Sequence, residues 1–315
     1  MTIERTSSAG QSQFLLTQVQ AAASQLDKTQ AQVASGKVST DYAGLGDKVA
    51  VLEAARTAAN KATAYQTNTT AAVNQADLQD SQLSSLSDLA GQLRQALTTS
   101  IANGDGSTLM ATAQGIFDQA SQILNTKDAN GNYLYGGDKD NVPPLNVSSL
   151  SQLAALPSAA GAFSNGTQQK SVMVADGQSV QVGVLASDIG GDLMQTLQDI
   201  AQFDAGSSGN FAGSTNLTQA QSTFLSNELP SAITAATNVN AAAASNGFVY
   251  NQLKDASDNQ SSLATMYQGF VSNIEDVDMP TAITQLNQNQ VALQAAVQVT
   301  AQLNQVSLLN YLPQS

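Results

Sequence analysis

Apolar residues recur at intervals of four and three along both ends of the chain. Between Phe14 and Ala34 they stand at Leu15, Val19, Ala22, Leu26 and Val33, with Thr29 filling the gap in the stripe. That spacing predicts an α-helix with a narrow seam, as in a coiled coil. Ser35-Gly36 ends it, because glycine accepts the left-handed conformation found after helix C-termini. A loop through Val38, Asp41, Gly44 and Gly46 follows. A second segment, from about Asp47 to Ala102, carries Val73, Ala76, Leu83, Leu86, Ala90, Leu93, Leu97 and Ile101 with no proline to interrupt it. At ~1.5 Å per residue its ~55 residues would span about 80 Å, which predicts a rod.

Asn103-Gly104-Asp105-Gly106 predicts a turn, and Ser107 a cap for a helix carrying Leu109, Ala113, Ile116, Ala120 and Ile123. The texture then changes. Between Asp128 and Asp204 the chain is punctuated by Asn130-Gly131, Gly136-Gly137, Pro143-Pro144, Pro157 and Asn165-Gly166. Within this stretch Ser171-Val172-Met173-Val174, the turn Asp176-Gly177 and the alternating Val180, Val182 and Val184 predict a β-hairpin. A short helix with Ile189, Leu193, Leu197 and Ile200 on one face should follow, then a flexible loop from Gly206 to Gly213. Leu217 to about Ile274 is helical in composition, with Pro230 and Asn246-Gly247 as expected kinks. Asp278-Met279-Pro280 marks a break before a final helix, Thr281–Leu312, carrying Leu286, Leu293, Ala296, Val299, Leu303 and Val306.

The expected fold is mainly α: an elongated rod of long antiparallel helices formed by both chain ends, with a small β-containing inserted domain. The expected division is a terminal coiled-coil domain (1–45 and 277–315), a helical rod domain (46–140 and 205–276) and a small β-containing outer domain (141–204). A narrow seam cannot bury itself, so the two ends must pack together. Either they close an intramolecular bundle, or they stay partly open until other subunits cover them.

Composition favours the second reading. Only 11% of the 315 residues are charged and 5% aromatic, against 42% hydrophobic; ordinary soluble domains carry about 25% charged residues. From Thr281 to Ser315 there is no charged side chain, and Gln285, Asn287, Gln290, Gln302, Asn304 and Gln305 occupy the polar face. Neutral amides can be buried between subunits without the cost of desolvating charge. The net charge of −13 argues against nucleic acid and anionic membrane surfaces as partners. No run approaches the ~20 apolar residues of a membrane span. Phe14-Leu15-Leu16 is too short for the apolar region of a secretory signal, so no cleavable signal is read there.

The chain has no His, Cys or Trp. That removes the commonest catalytic base, thiolate chemistry and Cys/His zinc sites. No catalytic residue, cofactor site or metal site is assigned, and an enzyme is not expected. Asp128-x-Asn130-x-Asn132 has a superficial calcium-loop pattern, but Gly131 stands at the fourth position and Lys139 where a bidentate Glu is required. A structural turn is the better reading. Asp138-Lys139-Asp140 reads as a solvated loop, and Tyr133 and Tyr135 as packing residues at a domain corner. Arg56 and Arg94, rare positive charges on the long segment, are read as surface groups or as partners in ion pairs.

Three stretches carry a resemblance. Asp276-Val277-Asp278-Met279-Pro280, Gln290, Leu293-Gln294-Ala295 and Val306-Ser307-Leu308-Leu309-Asn310-Tyr311-Leu312 resemble the tail shared by bacterial flagellins and hook-associated proteins. Gln32-Val33-Ala34-Ser35-Gly36-Lys37-Val38 resembles the helix-then-Ser-Gly-Lys segment of the same superfamily. Asn130-Gly131-Asn132-Tyr133-Leu134-Tyr135-Gly136-Gly137, followed by Pro143-Pro144-Leu145, is similar to a stretch of its hook–filament junction members rather than its filament subunits. Thr40–Gly46 keeps only part of the superfamily's Asp-Asp-Pro-x-Gly-x-Ala pattern, and Met1–Gly10 is unlike its usual opening.

The resemblance implies a structural protein of the flagellum, an adaptor joining hook to filament through coiled-coil packing of its terminal helices. It implies export through the flagellar type III secretion channel to the extracellular flagellum. Implied partners are other copies in a ring or tube, a neighbouring hook-associated protein, flagellin, and an export chaperone for the C-terminal region. The assembly interface would comprise Leu15, Val19, Leu26, Val33, Leu286, Leu293, Val299, Leu303, Val306 and Leu309. A flagellin-like filament subunit, a secreted flagellin homologue with a ligand-binding middle, and a secretion-apparatus helical protein remain open alternatives.

Overall fold

A computed structural model describes the backbone of residues 2–309 and the side chains of 12–302. Its helices are α1 (Thr2–Ser35), α2 (Val49–Asn103), α3 (Leu109–Leu124), α4 (Leu150–Ala154), α5 (Ala186–Ala205), α6 (Gln219–Glu275) and α7 (Met279–Leu309). Strands β1 (Lys170–Ala175) and β2 (Gln178–Val182) form the one sheet among the described residues, an antiparallel hairpin. The fold is mainly α with a small β-containing insertion. No helix among the described residues is long and apolar enough to cross a membrane.

The chain divides into two compact units, Ala62–Ser262 and the combination of Met1–Lys61 with Leu263–Ser315. In the first, α2 and α6 run antiparallel. Thr70 meets Ser257, the Ala76 carbonyl oxygen meets Asn246, and Ser87 meets Asn240, so position rises along one helix as it falls along the other. Leu83, Leu86, Leu93 and Leu97 of α2 pack with Ile116 and Phe117 of α3, Ile189, Leu193, Leu197 and Ile200 of α5, and Leu225 and Val239 of α6. Gly190 lets α5 approach α3 closely: a Cβ there would stand 2.7 Å from a Leu124 methyl. The hairpin turns at Asp176-Gly177, with Gly177 at φ +69, and lays Val174, Val180 and Val182 against Ala72 and Leu253.

Four local expectations change. The helix after the Asn103–Gly106 turn begins from Thr108 with no side-chain cap, and Ser107 instead donates its backbone N–H to the Asp105 carboxylate at 2.8 Å. The Gly206–Gly213 stretch is not a free loop: Phe211 is fully buried in the core, near Phe203, which stacks on Phe224 at 4.0 Å. Thr218 and Gln221 then cap α6 reciprocally, the Gln221 side chain accepting from the Thr218 N–H and the Thr218 hydroxyl from the Gln221 N–H. Pro230 and Asn246-Gly247 lie inside an unbroken α6. A helix-interior proline costs about 3 kcal/mol, and burial of the neighbouring Leu225, Ala232 and Ala235 offsets it.

In the other unit α1 packs antiparallel on α7, Asn289 facing Gln25 and Thr29 while Lys37 bridges Asp276. A 3₁₀ segment, Ala43–Lys48, occupies part of the expected loop after α1.

Candidate assembly surface

Two features define the terminal unit. The first is its tie. Glu275, the last residue of α6, is 8% exposed, and its carboxylate accepts from Lys37 at 3.1 Å and from Arg56. Arg56 also reaches Glu53 at 3.0 Å and the Tyr42 hydroxyl at 3.2 Å. The backbone closes around this group: Val38 N–H donates to the Glu275 carbonyl at 2.6 Å and Val277 N–H to the Gly36 carbonyl at 2.9 Å. Gly36, at φ +70, makes the turn that brings Lys37 there. Arg56 is thus a partner in an ion pair within the unit.

The second feature is the seam. On α1, Leu15, Val19, Leu26 and Val33 are half-buried and Thr29 is 1% exposed. On α7, Leu286 and Leu293 are half-buried, as are Asn289, Ala296 and Thr300, while Ala282 is buried. Both sets keep the 4-3 alternation of a heptad. Val299 is 47% exposed and stands off the seam, because Thr300 takes the position the alternation requires. The side chains of Leu303, Val306 and Leu309 lie outside the described residues, as does the segment Asn310–Leu312. Seam positions that are only half-buried leave apolar surface on both helices, alongside Phe14, Leu16, Ile283, Val291 and Val297, all exposed.

The other sequence motifs are structural. The Asp128 carboxylate accepts backbone N–H groups of Asn130 and Asn132 at 2.8 and 2.9 Å, the geometry of a turn. Tyr135 is fully buried and donates its hydroxyl to Gln82 at 2.7 Å, and burial pushes its phenol pKa up. Tyr133 lies beneath the Lys127 ammonium, 4.7 Å from the ring centroid. Asp140 pairs with Lys170. Gly136 lies against the Asp140 backbone, where a Cβ would stand 2.8 Å away, so the Tyr-Leu-Tyr-Gly-Gly stretch folds as a compact corner.

A groove of ≈ 590 Å³ runs beside the C-terminal half of α3, lined in part by Asp118, Gln122, Asn125 and Asn146. Asn125 is committed to both backbone groups of Leu145, at 3.0 and 2.9 Å.

These features belong to a mainly α-helical protein whose likeness to known proteins is partial in sequence and broader in fold. Residues 231–312 match the family described as the bacterial flagellin C-terminal helical region, a span that includes the Asp276–Leu312 tail. The fold is shared with a structure described as a flagellar hook-associated protein from Vibrio parahaemolyticus, at 18% identity and a TM-score of 0.58, covering 75% of this chain and 99% of that one. It is also shared with flagellar hook-associated protein 3 from Legionella pneumophila, at 13% identity and a TM-score of 0.56, covering 70% and 98%. Bacillus cereus FlgL matches at 12% identity and a TM-score of 0.52, covering 70% and 98%. No curated protein sequence matches the chain. The family match is confined to the C-terminal part of the chain, where the tail motif lies, and the structural matches show a shared fold.

Proposed function

We propose that the protein is an adaptor at the junction of flagellar hook and filament. The single observation that carries this is the half-buried α1–α7 seam on a tail that matches the flagellin C-terminal helical region. Apolar surface left at heptad spacing on two paired helices, with no charge from Thr281 onward, is surface built to be covered by further helices. Leu15, Val19, Leu26, Val33, Leu286, Leu293, Val299, Leu303, Val306 and Leu309 are the proposed assembly residues. The hook-type fold and the Tyr-Leu-Tyr-Gly-Gly corner support the junction role over that of a filament subunit.

In this reading 1–45 and 277–315 form the assembly domain, 46–140 and 205–276 the helical rod, and 141–204 the outer domain. Partners are other copies in a ring or tube, a neighbouring hook-associated protein, flagellin, and an export chaperone for the tail. Export proceeds through the flagellar secretion channel. The test is direct: purified protein is added to isolated hooks, followed by flagellin. Filament growth only after this protein is bound supports the role, and growth that never depends on it refutes the role.

A further inference from the structure

The chain contains four Asn-Gly pairs: Asn103-Gly104, Asn130-Gly131, Asn165-Gly166 and Asn246-Gly247. Asparagine is chemically labile, above all before glycine, whose missing Cβ leaves the following backbone nitrogen open and mobile. That nitrogen reaches the Asn side chain only if the peptide carrying it swings toward the side-chain carbonyl. A hydrogen bond that holds either group opposes the reaction by the free energy needed to open it.

The fold holds three of the pairs. Asn246 lies within α6, is 3% exposed and donates its side-chain amide to the Ala76 carbonyl at 2.8 Å. The Asn165 amide donates to the Gly166 carbonyl and the Ser187 hydroxyl at 2.9 and 3.1 Å, and its oxygen accepts from the Ser187 N–H at 3.2 Å. Gly166 is buried and donates its own N–H to the Gly136 carbonyl at 2.8 Å. Asn103 is exposed, but it ends α2, and the glycine after it is pinned on both sides. Gly104 donates its N–H to the Ile101 carbonyl at 3.3 Å, and its carbonyl accepts from the Leu217 N–H at 2.6 Å.

Asn130 differs. It stands at the tip of a short loop closed by the Asp128 N–H, which donates to the Asn132 carbonyl at 2.8 Å. Ala129, Asn130 and Gly131 are all exposed, and a Cβ on Gly131 would meet no atom within 4 Å. The Gly131 nitrogen is held by a single turn bond, its N–H to the Asp128 carbonyl at 3.0 Å. Among the described residues, none bonds the Asn130 side-chain amide.

We propose that Asn130 is a site of spontaneous covalent modification, converting to aspartate and isoaspartate through a cyclic imide. Hydroxide takes the Gly131 N–H proton, and the nitrogen bonds to the Asn130 Cγ. The Cγ–Nδ2 bond breaks, and ammonia leaves with a proton from water. Water then opens the imide. Breaking the new bond at Cγ gives aspartate; breaking the bond at the backbone carbonyl carbon gives isoaspartate, with one more methylene in the main chain. Nothing is oxidised or reduced. Either product sets a new carboxylate beside Asp128, whose own carboxylate shapes this turn by accepting from the Asn130 and Asn132 N–H groups.

Cleavage after Lys and Arg places each pair on its own peptide, residues 95–127, 128–139, 140–170 and 171–254. The test holds the full folded chain in mildly alkaline buffer, with a parallel sample in urea. Mass spectrometry of the peptides locates the conversion, and protein isoaspartate methyltransferase reports the isoaspartate. In the folded chain, conversion at Asn130 should be about tenfold faster than at each of the other three pairs. In urea the four rates should converge. Asn130→Gln, which would have to close a larger ring, should melt as the wild type does and leave peptide 128–139 unconverted. Equal conversion at the four pairs of the folded chain overturns the assignment. So does faster conversion at Asn103, or an Asn130 that stays intact when folded and reacts only in urea.

Discussion

Asn246, midway along α6, donates its side-chain amide to the Ala76 carbonyl oxygen on α2 at 2.8 Å and is 3% exposed. It is one of a set. Gln198 donates to the Leu153 and Leu156 carbonyls at 2.9 and 2.8 Å, Gln221 to Gly209 at 2.6 Å, and Gln260 to Val174 at 3.0 Å, all from buried side chains. Neutral amides here bind carbonyls in the interior without the desolvation cost of a charge. Asn246→Asp should therefore destabilise the protein by about 3 kcal/mol, an uncompensated buried charge now facing a carbonyl. Asn246→Leu should cost about 1 kcal/mol, the net worth of one hydrogen bond. Urea midpoints would rank the two; equal values would contradict the role of the amide.

Tyr135 gives a second test. Removing its hydroxyl in Tyr135→Phe leaves the Gln82 acceptor without its donor and should cost about 1 kcal/mol. Burial raises the phenol pKa, so folding contributes stability that is fully present below the unfolded value of about 10 and is lost as pH rises through the folded value. Wild-type stability should fall in strong alkali more steeply than that of Tyr135→Phe, as followed by thermal melting across pH.

Glu228 on α6 has one carboxylate oxygen buried without a hydrogen-bond partner. Desolvation first, and the nearby Asp199 second, raise its pKa, against a hydrogen bond from Ser231. A raised carboxyl pKa means that the folded state holds the proton more tightly. Its stabilising effect is present below the unfolded pKa and lost as pH rises through the folded one. Glu228→Gln should raise the melting temperature at pH 7 and change little near pH 4. A lower melting temperature at pH 7 would contradict this.

Glu275 anchors two cations at one point. Glu275→Gln should lower the melting temperature and speed amide exchange at Val38 and Val277, whose N–H groups close the same tie. Because Lys37 and Arg56 are partly exposed, the wild-type advantage should shrink in high salt. An advantage that is unchanged by salt would assign the effect to packing instead.

The helical seams were legible because Leu15, Val19 and Leu26, or Leu286 and Leu293, repeat at a spacing that only a helix puts on one face. The hairpin was legible from alternating valines about Asp176-Gly177. Val299 stands one residue off the α1–α7 seam because Thr300, a polar residue that a hydrophobic pattern does not reveal, holds the heptad interval. Phe211 was missed for a similar reason: glycines and serines around it read as a loop, although a phenylalanine in so aromatic-poor a chain was the signal. The sequence gives no sign of the Asn289–Thr29 bond, since its two partners stand 260 residues apart. The charge deficit has a second cause besides the inter-subunit contact that the tail suggests. Asn246, Gln198, Gln221 and Gln260 show that part of it serves the interior of the subunit.

Electron microscopy of cells lacking this protein tests the proposed mechanical role between hook and filament. The expected result is intact hooks without filaments, with filaments restored when the wild-type chain is supplied. Normal filaments on cells that lack the protein would contradict it.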